Sequence, residues 1–430
     1  MKARAAPAVI TVAQLQAGCV LYIAAWSLFP PLAIDPLWRA LLVVAVAGFF
    51  GLEAMRSGLG RLYNWPAGLV VAFMAYTVLV QLLTGGWQDV IRAVQLHIVC
   101  VCALIGIAMR GARLREMEWT LLPILALLAG AMALTVIELL NNPYAARIVV
   151  RTSEEAIVLL RAGVGGYQLV YAGVVLAPLL ALFVVSGRRF EATYVLMLVF
   201  MLAIALTLIV TAGYSIALAI AALCTALALF AKRTDAGGLL LQVCAVVAIA
   251  AGAMMVLDPL LAVGETMAEG TRYAKKLADL RASLEIGESV GTAFDRSERY
   301  LHSLWAFLSA PVLGMQVHDP LGDHSQLLDT FARYGAPIGV IAITVLVWLP
   351  AALLPPLPAS ARHAPFVMML AIGLFLSVNN ATAAHGAIAF LVAPILAYSF
   401  GRRAFAHRAF RRSGGREADV GDVLQRLPMR

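Results

Sequence analysis

The chain has 430 residues, of which 62% are hydrophobic and 13% are charged, and its formal net charge is +8. Soluble domains carry about 25% charged residues, so this composition excludes a soluble protein and indicates a polytopic membrane protein. The five cysteines lie in apolar runs, where a thiol behaves as a small hydrophobe, and we expect neither a disulfide framework nor a metal or other cofactor. The positive charge implies no nucleic acid, because its distribution along the chain explains it.

Apolar runs of membrane-spanning length recur along the whole chain. We count twelve, at residues 12–29, 37–54, 65–83, 94–109, 119–140, 167–185, 194–210, 215–230, 239–257, 337–354, 366–378 and 384–400. The eleventh is short, and the seventh and eighth are nearly continuous, so eleven or thirteen spans remain open. The predicted fold class is an all-α integral membrane protein with about twelve transmembrane helices.

The basic residues between these spans predict the orientation. If the N-terminus is cytoplasmic, the segments on that side hold Lys2, Arg4, Arg56, Arg61, Arg110, Arg113, Arg115, Arg188, Arg189, Lys232, Arg233 and Arg362. The short segments on the other side hold only Arg92. Because basic residues near span ends stay in the cytoplasm, we expect both termini there.

Four regions follow from this organisation. Residues 1–257 hold nine spans and an outer loop at 141–166, residues 258–336 form a large outer loop, and residues 337–400 hold the last three spans. The basic segment 401–430 is expected to be an unfolded cytoplasmic tail. It serves either as a topology anchor or as a contact for anionic lipid headgroups.

The large outer loop contains two stretches with apolar residues at helical spacing. The first, in residues 271–285, comprises Tyr273, Leu277, Leu280 and Leu284. The second, in residues 296–314, comprises Leu301, Leu304, Trp305 and Leu308. We expect the first to lie on the outer membrane surface, and the loop as a whole to form a small helical subdomain docked on the bundle.

The stretch LGDHSQLLDTFARYGAPIG, residues 321–339, concentrates polar residues ahead of an apolar run. Asp323 and Gln326 fit a capping box, and Gly335 and Pro337 are typical of a helix end, which predicts a short helix over 324–334. His324 would then be the first helical residue, where the helix dipole disfavours the imidazolium. A neutral imidazole there can accept a proton.

Arginines elsewhere in the outer segments could hold a phosphate group, because guanidinium binds phosphate oxygens in a bidentate manner. Arg161 directly precedes the sixth span, and Arg299 lies in the large loop. Either could equally contact a lipid headgroup or form an ion pair. Arg281, Arg272 and Arg333 are weaker candidates, since ion pairs within the loop account for them.

The stretches RYLHSLWAFLSAPVLG and GDHSQLLDTFARYGAPIG resemble the C-terminal signature of bacterial Wzy-type polysaccharide polymerases and O-antigen ligases, over about 299–339. The resemblance implies a GT-C-like fold and metal-independent glycosyl transfer at the periplasmic face of the inner membrane. The donor would be a glycan on undecaprenyl pyrophosphate and the acceptor a sugar hydroxyl, with membrane lipids and a chain-length regulator protein as further partners.

The resemblance also implies roles for individual residues. His324 would be the catalytic base, and Arg161, Arg299 and Arg281 would bind the pyrophosphate. Many relatives carry Ser-Arg-Gly between the seventh and eighth spans, whereas this chain has Tyr214 in place of that arginine. Tyr214, Asn380 and His385 are candidates for an acceptor groove, although a short polar loop also explains the last two.

His-Ser followed by Leu-Leu-Asp favours a polymerase over a ligase, whose acceptor would be lipid A–core. A transporter or flippase is the alternative from another class. It predicts charged residues near the bilayer midplane, broken spans and two similar halves, and we find no internal repeat in the sequence.

Overall fold

A computed structural model describes residues 10–149, 153–187, 190–230, 292–316, 321–322 and 324–412, with a few single residues between 262 and 281. Within these ranges the regular structure is helical and no strand occurs. Eight segments are long and apolar enough to cross a membrane, and three apolar helices are shorter. The protein is therefore an α-helical, multi-pass membrane protein, as its composition predicts.

The helices are numbered here in chain order. They are α1 (Val12–Leu28), α2 (Pro30–Ile34), α3 (Pro36–Ser57), α4 (Trp65–Arg92), α5 (Val94–Ala108), α6 (Ala112–Met117), α7 (Leu121–Asn141), α8 (Ala145–Ile148), α9 (Glu154–Arg161), α10 (Tyr167–Ser186), α11 (Ala192–Ala212), α12 (Ser215–Phe230), α13 (Thr292–Ser309), α14 (Gln326–Ile343), α15 (Leu349–Ala352), α16 (Ala364–Val378), α17 (Ala383–Ala387) and α18 (Ala393–Arg412).

The predicted spans coincide with these helices wherever the structure describes them. The eight long segments are α3, α4, α6–α7, α10, α11, α14–α15, α16 with the turn before it, and α17–α18, and the shorter apolar helices are α1, α5 and α12. The ninth predicted span, 239–257, lies outside the described residues. The total number of spans therefore stays a prediction.

Basic side chains from distant segments meet at one end of the bundle, which we call the basic end. There, Arg61 donates to the carbonyl of Arg110 (2.7 Å), and Arg110 donates to the carbonyl of Ala352 (3.1 Å). Arg402 forms an ion pair with Glu118 (2.9 Å). The opposite end, which we call the cavity end, holds α8, α9, α13 and residues 324–335 and 379–382. Described basic residues from the segments predicted to be cytoplasmic thus meet at the basic end, and which end faces the cytoplasm stays a prediction.

A polar network ties three helices together at the basic end. Gln16 of α1 donates to the carboxylate of Glu53 in α3 (2.8 Å), and Arg113 of α6 lies 3.5 Å from the same carboxylate. Arg56 makes a two-point contact with Glu116, with both N–O distances 2.6 Å. Two arginines and two glutamates therefore neutralise one another inside the bundle.

Among the eight long segments, α10 and α17–α18 are the most buried. In their most apolar stretches, 83% and 94% of the residues are buried. Helix α10 packs against α11, α12 and α16, and the α17–α18 segment packs against α1, α5 and α10, so these two segments form the centre of the bundle. The sequence predicts an unfolded tail from residue 401, but α18 continues to Arg412. The described part of the tail is thus helical, and its first arginines, Arg402 and Arg403, pair with Glu118.

The polar stretch 321–339 differs from its predicted structure at its start. The helix begins at Gln326, and Ser325 is its N-cap, whose hydroxyl accepts from the amide of Leu328 (3.1 Å). Asp323, the predicted cap, lies outside the described residues. His324 therefore precedes the helix by two residues and is not its first member, so the dipole argument does not apply to it as predicted.

The predicted break at Gly335 is confirmed. Its φ of 81° and ψ of 173° interrupt α14, and the chain then continues as a helix towards the membrane. We call residues 326–334 the upper half of α14. Residues 336–352 continue as one helix through the rest of α14, the π-helical turn Thr344–Trp348 and α15, and we call them the lower half. A second interruption of this kind occurs in α4 at Gly86, with φ of 67° and ψ of −158°.

Helix α13 packs beside the upper half of α14. Its apolar stripe faces away from the bundle, with exposures of 53% for Leu301, 67% for Trp305 and 53% for Leu308. Small or polar side chains on the other side contact α14, among them Ser303 and Ala306. The described part of the large loop therefore contacts the bundle through the side of α13 that lies opposite the apolar stripe.

Candidate functional site

The upper half of α14 lies across the cavity end of the bundle. At its start, the amide of Gln326 donates to the carbonyl of Asn379 (3.1 Å), next to the end of α16. At its end, Tyr334 accepts from the amide group of Gln81 in α4 (3.1 Å) and packs edge-on against Tyr76. The segment thus bridges two spans that are far apart in the sequence.

A cavity of about 630 Å³ lies beneath this bridge. Its walls come from the end of α4, the start of α5, the upper half of α14 and the turn between α16 and α17. The lining residues are Gln81, Asp89, Ala93, Gln95, Leu96, Gln326, Asp329, Thr330, Arg333, Tyr334, Asn380, Ala381 and Thr382. Its size is within the range of small-molecule sites.

Six of the thirteen residues that line the cavity have amide or carboxylate side chains. Two of the amides are held by backbone groups, since Ala381 donates to the side chain of Gln326 (3.0 Å) and Ala383 donates to that of Gln95 (2.8 Å). Carboxylates accept hydrogen bonds, whereas amides both donate and accept. Such a lining suits a ligand with many hydroxyl groups.

Arg333 is the cation of the cavity among the described side chains that line it. Its Nε is buried and has no hydrogen-bond partner in the part of the chain that the structure describes. A buried donor without a partner costs free energy, and an anionic ligand would remove that cost. Arg333 is therefore the described side chain best placed to bind a phosphate group here.

Asp329 is held in place by α13. The hydroxyl of Ser303 donates to Oδ1 of Asp329 (2.6 Å) and accepts from the amide of Gly322 (3.0 Å). A second carboxylate, that of Asp89, lines the cavity from α4. Within the described ranges, no three His, Cys, Asp or Glu side chains are grouped as metal ligands.

His324 lies at the edge of this site. It is half-buried, and the cavity lining begins two residues after it, at Gln326. Arg299 is exposed on α13, although its backbone lies close to Gly322, because a Cβ on Gly322 would be 2.6 Å from the Arg299 carbonyl oxygen. The structure thus brings the backbone of Arg299 near the segment before His324.

The other two predicted arginines lie outside the cavity lining. Arg161 is the exposed last residue of α9, which packs against α2. Arg281 is half-buried, and most of the residues around it in sequence are outside the described ranges. Their predicted role in binding pyrophosphate remains untested.

Tyr214 is buried between α11 and α12 and stacks on Tyr167, with ring centroids 4.3 Å apart. Burial raises the pKa of its phenol, and the neighbouring Tyr167 raises it further, while the positive charge of Arg147 opposes both. Tyr214 therefore stays neutral, and Arg147 of α8 is a described cation close enough to act on it.

The two remaining candidates for an acceptor groove, Asn380 and His385, lie in different surroundings. Asn380 lines the cavity. His385 is fully buried in α17, with its ring 5.2 Å from that of Phe375, and it does not line the cavity. Neither of its ring nitrogens has a hydrogen-bond partner in the described part of the chain.

Sequence reasoning did not identify Gln81, Asp89, Gln95 or Asp329, and it ranked Arg333 low. One signal was available. Gln326, Asp329, Thr330 and Arg333 recur at helical spacing and form one polar face of the upper half of α14. No local pattern indicated that the end of α4 and the start of α5 would face it.

No protein-family model matches this sequence, and no curated protein is significantly similar to it.

Proposed function

We propose that this protein is a glycosyltransferase of the bacterial inner membrane that polymerises oligosaccharide repeat units carried on undecaprenyl pyrophosphate. The observation that carries the proposal is the cavity, which gathers amides, carboxylates and Arg333 at one end of the bundle. The resemblance of residues 299–339 to polysaccharide polymerases and ligases supports it, because the upper half of α14 belongs to that stretch. The proposed side of the cavity is the periplasmic one.

In the proposed reaction, a sugar hydroxyl of the acceptor attacks the anomeric carbon of the donor. A bond forms between that oxygen and the anomeric carbon, the bond to the pyrophosphate oxygen breaks, and undecaprenyl pyrophosphate leaves. The hydroxyl proton passes to a base, for which His324, Asp89 and Asp329 are the candidates near the cavity. No external energy source is needed, because the leaving pyrophosphate supplies the driving force.

The charges of the lining side chains determine which part of the substrate we assign to each of them. Two aspartates and one arginine line it, so the described lining alone carries no excess of positive charge. The amides and carboxylates therefore suit the sugars, and Arg333 suits the pyrophosphate. Further cations for the second phosphate would come from Arg299, Arg161 and Arg281.

The test uses a strain that lacks the gene and is complemented with variants expressed at wild-type level. We expect Arg333→Gln to reduce long-chain glycan on a gel at least about 100-fold, as is typical when one transition-state contact is lost. Arg39→Gln is the matched control, because Arg39 is exposed at the same end of the bundle and bonds to the carbonyl of Ala33. A normal glycan ladder in Arg333→Gln would contradict the proposal.

The base is identified by three further variants in the same assay. His324→Ala, Asp89→Asn and Asp329→Asn each remove one proton acceptor. The proposal expects one of them to abolish the ladder while a single repeat is still transferred. If all three retain the full ladder, proton transfer does not occur at this cavity.

Two other functions are distinguished by the same gel. An O-antigen ligase would leave finished polymer on undecaprenyl pyrophosphate in the deletion strain. A transporter or flippase is favoured by the interruptions at Gly86 and Gly335, because broken helices commonly form transport sites. It predicts that repeat units accumulate on the cytoplasmic leaflet and that Arg333→Gln has the same effect.

A further inference from the structure

We infer that α13 is a membrane-surface helix whose outward apolar stripe, together with Val312 and Leu313, is inserted into the lipid of the leaflet at the cavity end. This inference is independent of the proposed activity. It concerns the surface defined by Leu301, Leu304, Trp305, Leu308, Val312 and Leu313, which we call the lipid-facing stripe.

Exposure and pattern support the inference. Every member of the stripe is exposed, with values between 39% for Leu304 and 67% for Trp305. A soluble surface rarely shows so many large apolar side chains side by side. The other side of α13 is already occupied, since Ser303 bonds to Asp329 and Ala306 packs with Ala332.

The lower half of α14 places this stripe at membrane depth. Residues 336–352 form a helix roughly 25 Å long, and Ala352 at its end contacts Arg110 at the basic end. Because the hydrocarbon core is about 30 Å thick, Gly335 lies near its outer boundary. Any residue that packs below Gly335 therefore lies at the depth of acyl chains.

Phe307 of α13 contacts a side chain that reaches this depth. Its ring packs edge-on against that of Phe331, with centroids 5.5 Å apart. The ring of Phe331 in turn covers Gly339, one turn below the break, where a Cβ would lie 2.5 Å from ring carbon Cδ1. The ring of Phe331 therefore lies between Phe307 and Gly339, which places the middle of α13 at the outer boundary of the acyl region, beside residues 329–332.

The stripe is also continuous with a surface that faces lipid. The carbonyl of Pro311 accepts from the amide of Ala336 (2.8 Å), which places Val312 and Leu313 beside the start of the lower half of α14. On that half, Val340 and Ile343 are exposed, as lipid-facing side chains of a span are. Lipid is therefore the occupant that this surface fits.

The test measures the surroundings of Trp305 in the full-length protein. Wild type and Trp305→Phe are reconstituted in nanodiscs of phosphatidylcholine and phosphatidylglycerol, with or without bromine at carbons 6 and 7 of the acyl chains. The difference between the two emission spectra reports Trp305. We expect brominated lipid to quench this difference signal by at least about half and aqueous iodide to leave it unchanged.

His302 provides the matched control, because it is exposed on α13 but outside the stripe. In the background of Trp305→Phe, a reporter made by His302→Trp should be less sensitive to bromine and more sensitive to iodide. A second reporter, made by Leu308→Trp in the same background, should behave like Trp305. Equal elution in size-exclusion chromatography establishes that the variants are folded.

Two results would overturn the inference. Quenching of the Trp305 signal by iodide and not by bromine would mean that the stripe faces water. Protection from both quenchers would mean that protein covers it, for example a second copy of the chain.

Discussion

Ser303 connects the lipid-facing helix to the cavity through a single hydroxyl group. It donates to Asp329 and accepts from Gly322, and it is fully buried. We expect Ser303→Ala to remove the hydrogen bonds to Asp329 and Gly322 and to cost about 1–3 kcal/mol of stability. A thermal melt of the purified protein in detergent would measure the loss.

Ser309 on the same helix is the control for Ser303. Its hydroxyl bonds to the carbonyl of Ala306 within α13 (2.7 Å) and does not contact α14. Ser309→Ala should therefore melt within about a degree of wild type. If the melting temperature of Ser303→Ala is no lower than that of Ser309→Ala, the hydrogen bonds of Ser303 do not stabilise the protein measurably.

Glu53 is the residue on which the basic-end network depends most. Its side chain is 2% exposed and that of its partner Arg113 is 7% exposed. We expect Glu53→Ala to destabilise the protein by about 3–5 kcal/mol, because it removes the closer, buried carboxylate of Arg113 and leaves the more exposed carboxylate of Glu116 at 3.7 Å. The double variant Glu53→Met with Arg113→Met should recover most of that loss in a thermal melt.

Glu118→Ala is the comparison for Glu53→Ala, because it tests whether the loss of any ion pair at the basic end would destabilise the protein to the same extent. It pairs with Arg402, whose side chain is 41% exposed. Because exposed pairs contribute about 0–1 kcal/mol, Glu118→Ala should change the melting temperature little. A large effect of Glu118→Ala, together with a small effect of Glu53→Ala, would refute the assignment of the network.

Among the elements, α14 depends on a single backbone conformation. Gly335 has a φ and ψ combination that is accessible almost only to glycine, and a Cβ there would collide with the carbonyl of Val312. We expect Gly335→Ala to cost about 3 kcal/mol or more and to open the contact between α13 and α14. Loss of a monodisperse peak in size-exclusion chromatography, or an early melt, would reveal it.

Gly373 in α16 is the comparison for this prediction. Its backbone is helical, and a Cβ would make an ordinary contact of 3.5 Å with Val347. Gly373→Ala should therefore be neutral or slightly stabilising. Equal melting temperatures for the two glycine variants would mean that the break at Gly335 is not needed for the fold.

The elements themselves were largely predictable, for a physical reason. A long apolar run in a membrane must satisfy its own backbone hydrogen bonds, so it becomes a helix. Runs such as 167–185 therefore coincide with helices such as α10 within a few residues. The sequence did not predict which way the stripe on α13 faces, because an apolar face does not specify whether lipid or protein covers it.

The candidate site was less predictable than the elements. His324, Arg161 and Arg299 were selected by residue type and position in the chain, yet the cavity depends on which faces of distant segments meet. The polar face of 326–334 is encoded locally and could have been found. Its partner surfaces on α4 and α5 result from the packing of the bundle, which no spacing in the sequence expresses.

The whole molecule has two chemically different ends, and this predicts its orientation. Ala162 is exposed beside Arg161, and Ser360 is exposed at the basic end, where its carbonyl accepts from Ser186. In intact cells, a membrane-impermeant maleimide should label Ala162→Cys and not Ser360→Cys, with wild type as the background. Labelling of Ser360→Cys alone would reverse the orientation and place the cavity in the cytoplasm.

The walls of the cavity come from segments that lie early and late in the chain, and this has a consequence for biosynthesis. One wall comes from residues 81–96, and the other walls come from residues 326–334 and 380–382. Because the chain is inserted into the membrane from its N-terminus as it is synthesised, the first wall waits until more than half of the protein has followed it. Gln81, Asp89 and Gln95 therefore face an unfinished bundle for most of synthesis, and the site forms among the last contacts of the molecule.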